Sequence, residues 1–376
     1  MSSVPTNPTP TPNPAVPPVP PAPSRREPPM RIILEHSGVF GRFGTRFAWI
    51  LVIILFLVVI SLYAAYRSYL SPNPQINEKF YALNPLGADK VAIIAVEGTI
   101  MHTDGFAKWQ IDQVRNDPSV KAVVLRVDSP GGTITGSNYL YHHLLKLQRD
   151  KEQQGDTFPL VVSMGGLAAS GGYYISMAVG STPDTIFAEP TTWTGSIGVV
   201  IPHYDFTALL KNWNIQDDSI ASHPLKLMGS FTRDPPEEYA AKEQQILEQL
   251  VAESFEDFKD IVKTGRPSLS NDPERLKEVT TGQIFTAKQA HKLGLVDKLG
   301  FVEDAVDRAI ELAKLDRDDV RVVKYTRPTG LFEQAIGLAA GKSPTIDLAT
   351  LLDLTAPRAY YLCTWLPAVA ATPTAN

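Results

Sequence analysis

VKAVVLRVDSPGG, residues 120–132, is the stretch that decides how this chain folds. Eight residues, mostly β-branched or aliphatic, run without interruption into Asp128, Ser129, Pro130 and two glycines. An apolar run of that length, stopped by a Pro-Gly turn, reads as a strand buried on both faces. Two runs resemble it, residues 91–96 (VAIIAV) and 160–164 (LVVSM), and residues 185–188 (TIFA) form a shorter candidate. Helical stretches fall between and after them at 106–116, 136–149 and 170–178. Residues 237–262 predict a long amphipathic helix, with Ile246, Leu250, Phe255 and Phe258 on its apolar side. Strands and helices in alternation predict an α/β domain with a largely parallel sheet. Residues 265–280 read as a loop with a short helix inside that domain.

The N-terminal part has a different composition. Residues 1–30 hold twelve prolines and almost no large apolar side chains, which predicts an extended, disordered tail to residue 46. Residues 47–66, FAWILVIILFLVVISLYAAY, are twenty residues without a charge. As a helix they span roughly 30 Å, about one bilayer core. Trp49 stands near one end and Tyr63, Tyr66 and Tyr69 near the other, as in an interfacial aromatic belt. A buried core helix is seldom apolar on every side. A cleaved signal peptide would be followed by a small-x-small site, which YRSYLSPNP lacks. The expectation is an uncleaved anchor over 47–69 in contact with membrane lipid. Arg25, Arg26, Arg31, Arg42 and Arg46 precede the helix, whereas Arg67 and Lys79 follow it. That bias keeps the tail cytoplasmic and exports the rest, with 70–88 as a linker.

Bulk numbers exclude some classes of function. A net charge of −5 provides no basic footprint for nucleic acid. The single Cys363 and seven scattered histidines show no metal-ligand spacing, so neither a metal nor another cofactor is expected. Two Gly-rich turns follow strands, Asp128–Gly132 and Ala168-Ala169-Ser170-Gly171-Gly172. Paired glycines allow a sharp turn and a close approach of backbone N–H groups to a ligand. A serine at the start of a helix, beside such N–H groups, suits a nucleophile next to an oxyanion hole. The same pattern also suits plain helix–strand packing or an anion-binding turn, and neither turn matches a G-x-S-x-G elbow. His102, His203 and His223 all lie in loop-like context. A lysine in apolar surroundings can act as base. Lys226, in Pro224-Leu225-Lys226-Leu227-Met228, has the most apolar neighbours, although composition does not choose it over Lys108 or Lys211.

Six segments in order, VAIIAVEGTI, VVLRVDSPGG, ASGGYYISMA, TGSIGVV, PLKLMGSF and GQIFTAKQAHKLGLVDKLG, resemble the signal peptide peptidase A family of Ser/Lys proteases in its short form. The resemblance covers about residues 90–314. It implies Ser170 as nucleophile, Lys226 as general base and Ser196 as the residue that orients the lysine. It also implies an oxyanion hole from Gly131 and Gly132, assisted by Gly171. Leu225 and Leu227 depart from the family pattern, where an aromatic precedes the lysine and a polar residue follows it. The implied fold is a ClpP/crotonase-like domain of stacked β-β-α units over 89–330, after one transmembrane helix and before an arm at 331–376. The implied substrates are remnant signal peptides and other exported segments. With one catalytic repeat in place of two, the chain is expected to form a ring-like homo-oligomer, an octamer, whose dyad spans two protomers. The competing readings are a non-catalytic peptide-binding or scaffolding relative and a crotonase-fold acyl-CoA enzyme.

Overall fold

A computed structural model describes residues 40–70, 76–101, 103–155, 157–327 and 360–362. The expected tail up to residue 39, His102, Cys363 and most of the expected arm lie outside the described residues. The chain divides into two units, Met1–Leu70 and Ser71–Asn376. In the first, helix α1 (Phe40–Leu70) includes Arg46–Ala64, a segment long and apolar enough to cross a membrane. That segment is exposed along its whole length.

The second unit is a mixed α/β structure built on a sheet whose central strands are parallel. The strands β2 (Asp89–Glu97), β3 (Val120–Ser129) and β5 (Leu160–Ala169) lie side by side. Helices α2 (Phe106–Asn116) and α3 (Ile134–Glu152) make the crossovers between them. Short β4 (Gly131–Thr133) precedes α3, and α4 (Gly171–Ser176) follows β5. Beyond β5 come β6 (Ile186–Ala188) and β9 (Lys298–Leu299), both parallel to their neighbours. On the other side β10 (Val320–Thr326) pairs parallel with β2. The edge strand β1 (Asn77–Leu83) pairs antiparallel with β10. It falls inside the stretch 70–88 that sequence patterning treats as a linker. Its first four residues are exposed and the last three only half-buried, which leaves too weak an alternation to read.

The apolar runs are continuous because both faces of the sheet are covered. Along β3, Val123, Leu125 and Val127 enter one core, with Ala92 and Ile94 of β2 and Val162 and Met164 of β5. Ala122 and Val124 face the other way, into a smaller core with Val91, Ile93 and Val161. That second core is closed by α10 (Val302–Ala313), whose Ala305, Val306, Ala309 and Ile310 form its buried stripe.

In the long helix α6 (Glu237–Gly265) the buried residues are Glu243 in the first half and Phe258, Val262 and Gly265 in the second. Leu250 is exposed and Ile246 half-buried, so the predicted apolar side is covered over part of its length. The 265–280 stretch forms α7 (Pro267–Ser270) and α8 (Pro273–Val279). Beyond them, β8 (Ile284–Thr286) pairs antiparallel with β7 (Trp193–Gly195), which itself runs parallel to the end of β5. Helix α9 (Ala287–Leu293) starts from a capping box between Thr286 and Gln289.

One buried ion pair locks this C-terminal part to the sheet. Arg266 Nη2 meets Asp297 Oδ1 at 2.6 Å, and Arg266 Nε donates to the Gly294 carbonyl at 2.8 Å. The other oxygen of Asp297 accepts the N–H groups of Thr185 and Ile186 at 3.0 and 2.9 Å, at the start of β6. Burial raises the pKa of Asp297, but the Arg266 hydrogen bond and charge, with the two N–H groups, outweigh it and hold it below the usual range. A lowered carboxylate pKa stabilises the fold above the ordinary value near 4, and that share is lost as pH falls through the lowered value. Asp297→Asn leaves Arg266 charged, buried and unpaired. It should cost roughly 3–5 kcal/mol in denaturant unfolding and flatten the acid limb of the stability profile.

Candidate functional site

Two turns at the C-terminal ends of neighbouring parallel strands meet here, where α/β folds place their sites. After β3 the chain turns through Pro130 into β4, and after β5 it turns at Ser170 into α4. Ala168 pairs with Ser129 across the ladder, so the two turns emerge side by side. Their backbones touch. A Cβ added to Gly171 would lie 2.3 Å from Ser137 Oγ and 3.1 Å from Gly131 Cα, and one added to Gly132 would lie 2.0 Å from the Ile100 carbonyl oxygen. Such contacts leave room only for glycine at both positions.

Ser170 is 1% exposed and has φ 55° and ψ −114°. This backbone conformation is uncommon for a residue with a Cβ and occurs mostly where surrounding structure enforces it. Its N–H donates to the Gly195 carbonyl at 2.8 Å, and its carbonyl accepts from Tyr174 N–H at 2.8 Å. The side chain is different. Ser170 Oγ is buried and has no hydrogen-bond partner among the described residues. A buried hydroxyl without a partner carries a desolvation cost of about 1–3 kcal/mol, so a group left in that state is available for chemistry rather than for stability.

Ser196 stands next to this turn. Ala169 pairs with Gly195, so Ser170 and Ser196 are the residues that follow the last paired positions of two parallel strands. Ser196 also has a positive φ, 51°, is 7% exposed and donates its N–H to the Gln283 carbonyl at 2.7 Å.

The three glycines singled out from sequence differ in what their N–H groups do. Gly131 N–H is already spent, donating to Ser129 Oγ at 3.1 Å, while Ser129 Oγ donates to the Gly98 carbonyl at 2.6 Å. Gly132 N–H points away from Ile100, since Ile100 bonds instead to the Gly131 carbonyl and the Thr133 N–H. Gly171 opens α4, and its N–H has no acceptor inside the helix. The N–H groups not taken by Ser129 or Ile100 are therefore those of Gly132 and Gly171, and Gly132 is paired with Tyr361 of a short C-terminal strand, β11 (Tyr360–Leu362). Ser129, buried at the turn, is a residue that sequence reasoning missed. Its place between a buried strand and Pro-Gly-Gly was the available signal.

Lys226 lies apart from this group. It sits in a single 3-10 turn, Pro224–Leu227, capped by His223 Nδ1, which accepts the Leu225 N–H at 3.1 Å. Arg233 braces the turn by donating to the Pro224 carbonyl at 3.1 Å. Lys226 itself is exposed, and its ammonium has no hydrogen bond or ion pair among the described residues. Since Ser170 Oγ has no partner, Ser170 and Lys226 are not hydrogen-bonded within one chain. The rival lysines are engaged: Lys108 with Asp112, and Lys211 with Asp234 at 3.4 Å. His203 Nε2 lies 3.4 Å from the Ser230 carbonyl, and neither it nor His223 serves the serine.

Known proteins share much of this sequence. The family "Peptidase family S49" matches residues 152–316. The chain is 35% identical over 266 residues to "Putative protease slr0021" of Synechocystis sp., covering 71% of this chain and 88% of that protein. It is 33% identical over 275 residues to "Putative signal peptide peptidase SppA" of Enterococcus faecium, covering 68% and 74%. "Protease 4" of Salmonella typhi is 35% identical over 234 residues, which are 60% of this chain and 35% of that longer protein.

Removing the hydroxyl of Ser129 should open the turn, because it strands the buried Gly131 N–H. Ser129→Ala is expected to lower stability by about 1–3 kcal/mol in chemical denaturation. A change below about 0.5 kcal/mol would show that the turn does not depend on this hydroxyl.

Proposed function

This chain belongs to peptidase family S49, and from that premise we propose that it is a serine endopeptidase working through Ser170 and Lys226. The observation that carries the reading is Ser170 Oγ, buried without a partner among the described residues, at a strained turn whose next residue, Gly171, packs against Gly131 and Gly132. In the proposed reaction a neutral Lys226 takes the proton of Ser170. The Ser170 oxygen then forms a bond to the scissile carbonyl carbon, and the oxyanion rests on the N–H groups of Gly132 and Gly171. Lys226 returns its proton to the leaving amine as the C–N bond breaks, and water hydrolyses the acyl-enzyme. Ser196, which follows the strand paired with the end of β5, hydrogen-bonds the lysine and fixes its direction. The ClpP/crotonase-like fold belongs to the same reading, supported by strand–helix units with paired-glycine turns at their ends.

The base comes from a neighbouring copy. Lys226 is exposed on a segment that also exposes Tyr204, Trp213 and Ile220, an apolar surface of the kind that mates with another protein. Burial beneath a neighbour would supply the apolar surroundings that favour a neutral lysine. A head-to-tail contact of this sort closes into a ring, here an octamer. The helix Arg46–Ala64 is taken as a single-pass anchor in the inner membrane, with the catalytic domain outside the cytoplasm. The substrates are remnant signal peptides and other extended exported segments.

Ser170→Ala and Lys226→Ala should each lower peptide hydrolysis by at least about 10³-fold. Co-assembled in equal amounts, the two inactive variants should regain about one quarter of wild-type activity, because one site in four combines an intact serine with a neighbour's intact lysine. No recovery in rings shown by mass to contain both variants would place the base within the same chain or on another residue.

A further inference from the structure

In the first half of α6 Glu243 alone is buried, at 7% exposure, while its neighbours Lys242 and Gln244 are exposed. A carboxylate thus takes the one sheltered place on that stretch of helix. We propose that Glu243 and Arg233 are positioning residues for Lys226: the carboxylate aims the guanidinium, the guanidinium holds the Pro224 carbonyl, and that carbonyl fixes the turn carrying the lysine. The proposal rests on the reading of Lys226 as general base given above.

The contacts run in one line. Glu243 Oε1 lies 3.8 Å from Arg233 Nη2, and the same Nη2 donates to the Pro224 carbonyl at 3.1 Å. Pro224 begins the 3-10 turn Pro224–Leu227, in which no residue is buried. Its shape therefore does not come from a core and needs a brace from outside. A second contact joins the same two elements, since the His223 ring meets Tyr239 edge-on with centroids 5.5 Å apart. Tyr239 and Glu243 are four residues apart in α6 and share one face of the helix. That face meets the segment around Lys226 at both positions.

Stability alone does not account for this arrangement. A buried charge is costly unless it is both paired and hydrogen-bonded. Glu243 Oε1 and Arg233 Nε are each buried with no hydrogen-bond partner among the described residues. An apolar residue would cover α6 there at lower cost. The other carboxylate that feels the Arg233 charge, Asp217, is already engaged by Ser219 and Thr232. Glu243 is left to set the direction of a planar guanidinium, whose rigid fork suits such a task. A lysine that must meet a hydroxyl within hydrogen-bond reach gains from a turn that holds one direction.

The test measures peptide hydrolysis by the full-length protein in Arg233→Ala, Glu243→Gln and the double variant, with Lys226→Ala alongside. Arg233→Ala should lower kcat about 10²-fold with KM unchanged, since a misdirected base slows the chemical step and leaves substrate binding alone. Glu243→Gln should lower kcat about tenfold, because the bond to Pro224 survives and only its aim is lost. Millimolar guanidinium should restore much of the kcat of Arg233→Ala by entering the place between Glu243 and the Pro224 carbonyl. It should restore none in the double variant. Guanidinium weakens folded structure, so such a rescue separates positioning from a merely structural role. A wild-type kcat in either folded single variant overturns the proposal, as does a rescue that is absent or is equal in the double variant. Should Arg233→Ala fail to fold, the kcat of Glu243→Gln decides. If Lys226→Ala keeps its activity, the assignment of the base is what fails, whatever Arg233 does.

Discussion

Everything at the site depends on two backbone turns being pressed together more closely than side chains permit. Gly132 against the Ile100 carbonyl and Gly171 against Ser137 and Gly131 are contacts that a single methyl group would break. This crowding brings β4 beside the helix that Ser170 begins, and Ser170 itself holds a conformation that few non-glycine residues adopt. The strain is held from several sides. Ser170 N–H is tied to Gly195, and Tyr173, on the same helix, is fully buried and donates to the Leu295 carbonyl at 2.8 Å. Burial pushes the Tyr173 phenol well above its ordinary pKa, so it remains a neutral donor.

Leu295 lies between Gly294 and Asp297, the stretch that Arg266 clamps. A chain of contacts thus leads from the buried ion pair, through Tyr173, to the turn that holds Ser170. Residues far apart in sequence share one structural task. The C-terminal part of the domain is a support for the strained turn as much as a covering of the core.

The central strands were legible because both faces of the sheet are buried, which turns each strand into an unbroken apolar run. Residues 91–96, 120–127 and 160–164 all fall within observed strands. Strands at the margins could not be read this way. β1 is partly exposed, and β11 is three residues long and defined by its partner rather than by its own pattern. The two glycine turns were visible as motifs, but residue types could not show that the N–H of Gly131 is spent on a side chain inside the turn whereas that of Gly132 faces the sheet edge. That difference is made by one hydroxyl, Ser129. The same limit applies to Lys226. Apolar neighbours in sequence suggested a sheltered lysine, yet in one chain the turn Pro224–Leu227 leaves its ammonium exposed, because proximity along a 3-10 turn does not amount to burial.

The brevity of β4 has a further effect, on how the protein behaves in a crowded solution. An open strand edge is a template on which other chains can stack into aggregates, and long flat edges are the worst offenders. Here the edge is only the three residues Gly131–Thr133, and Tyr360–Leu362 pairs along it. Pro130 stands before it with no N–H to offer, and Thr133 ends it by capping α3 through its hydroxyl, which accepts the Gly136 N–H at 3.0 Å. An edge bounded in this manner can hold one extended segment at a time and gives a growing sheet nowhere to continue.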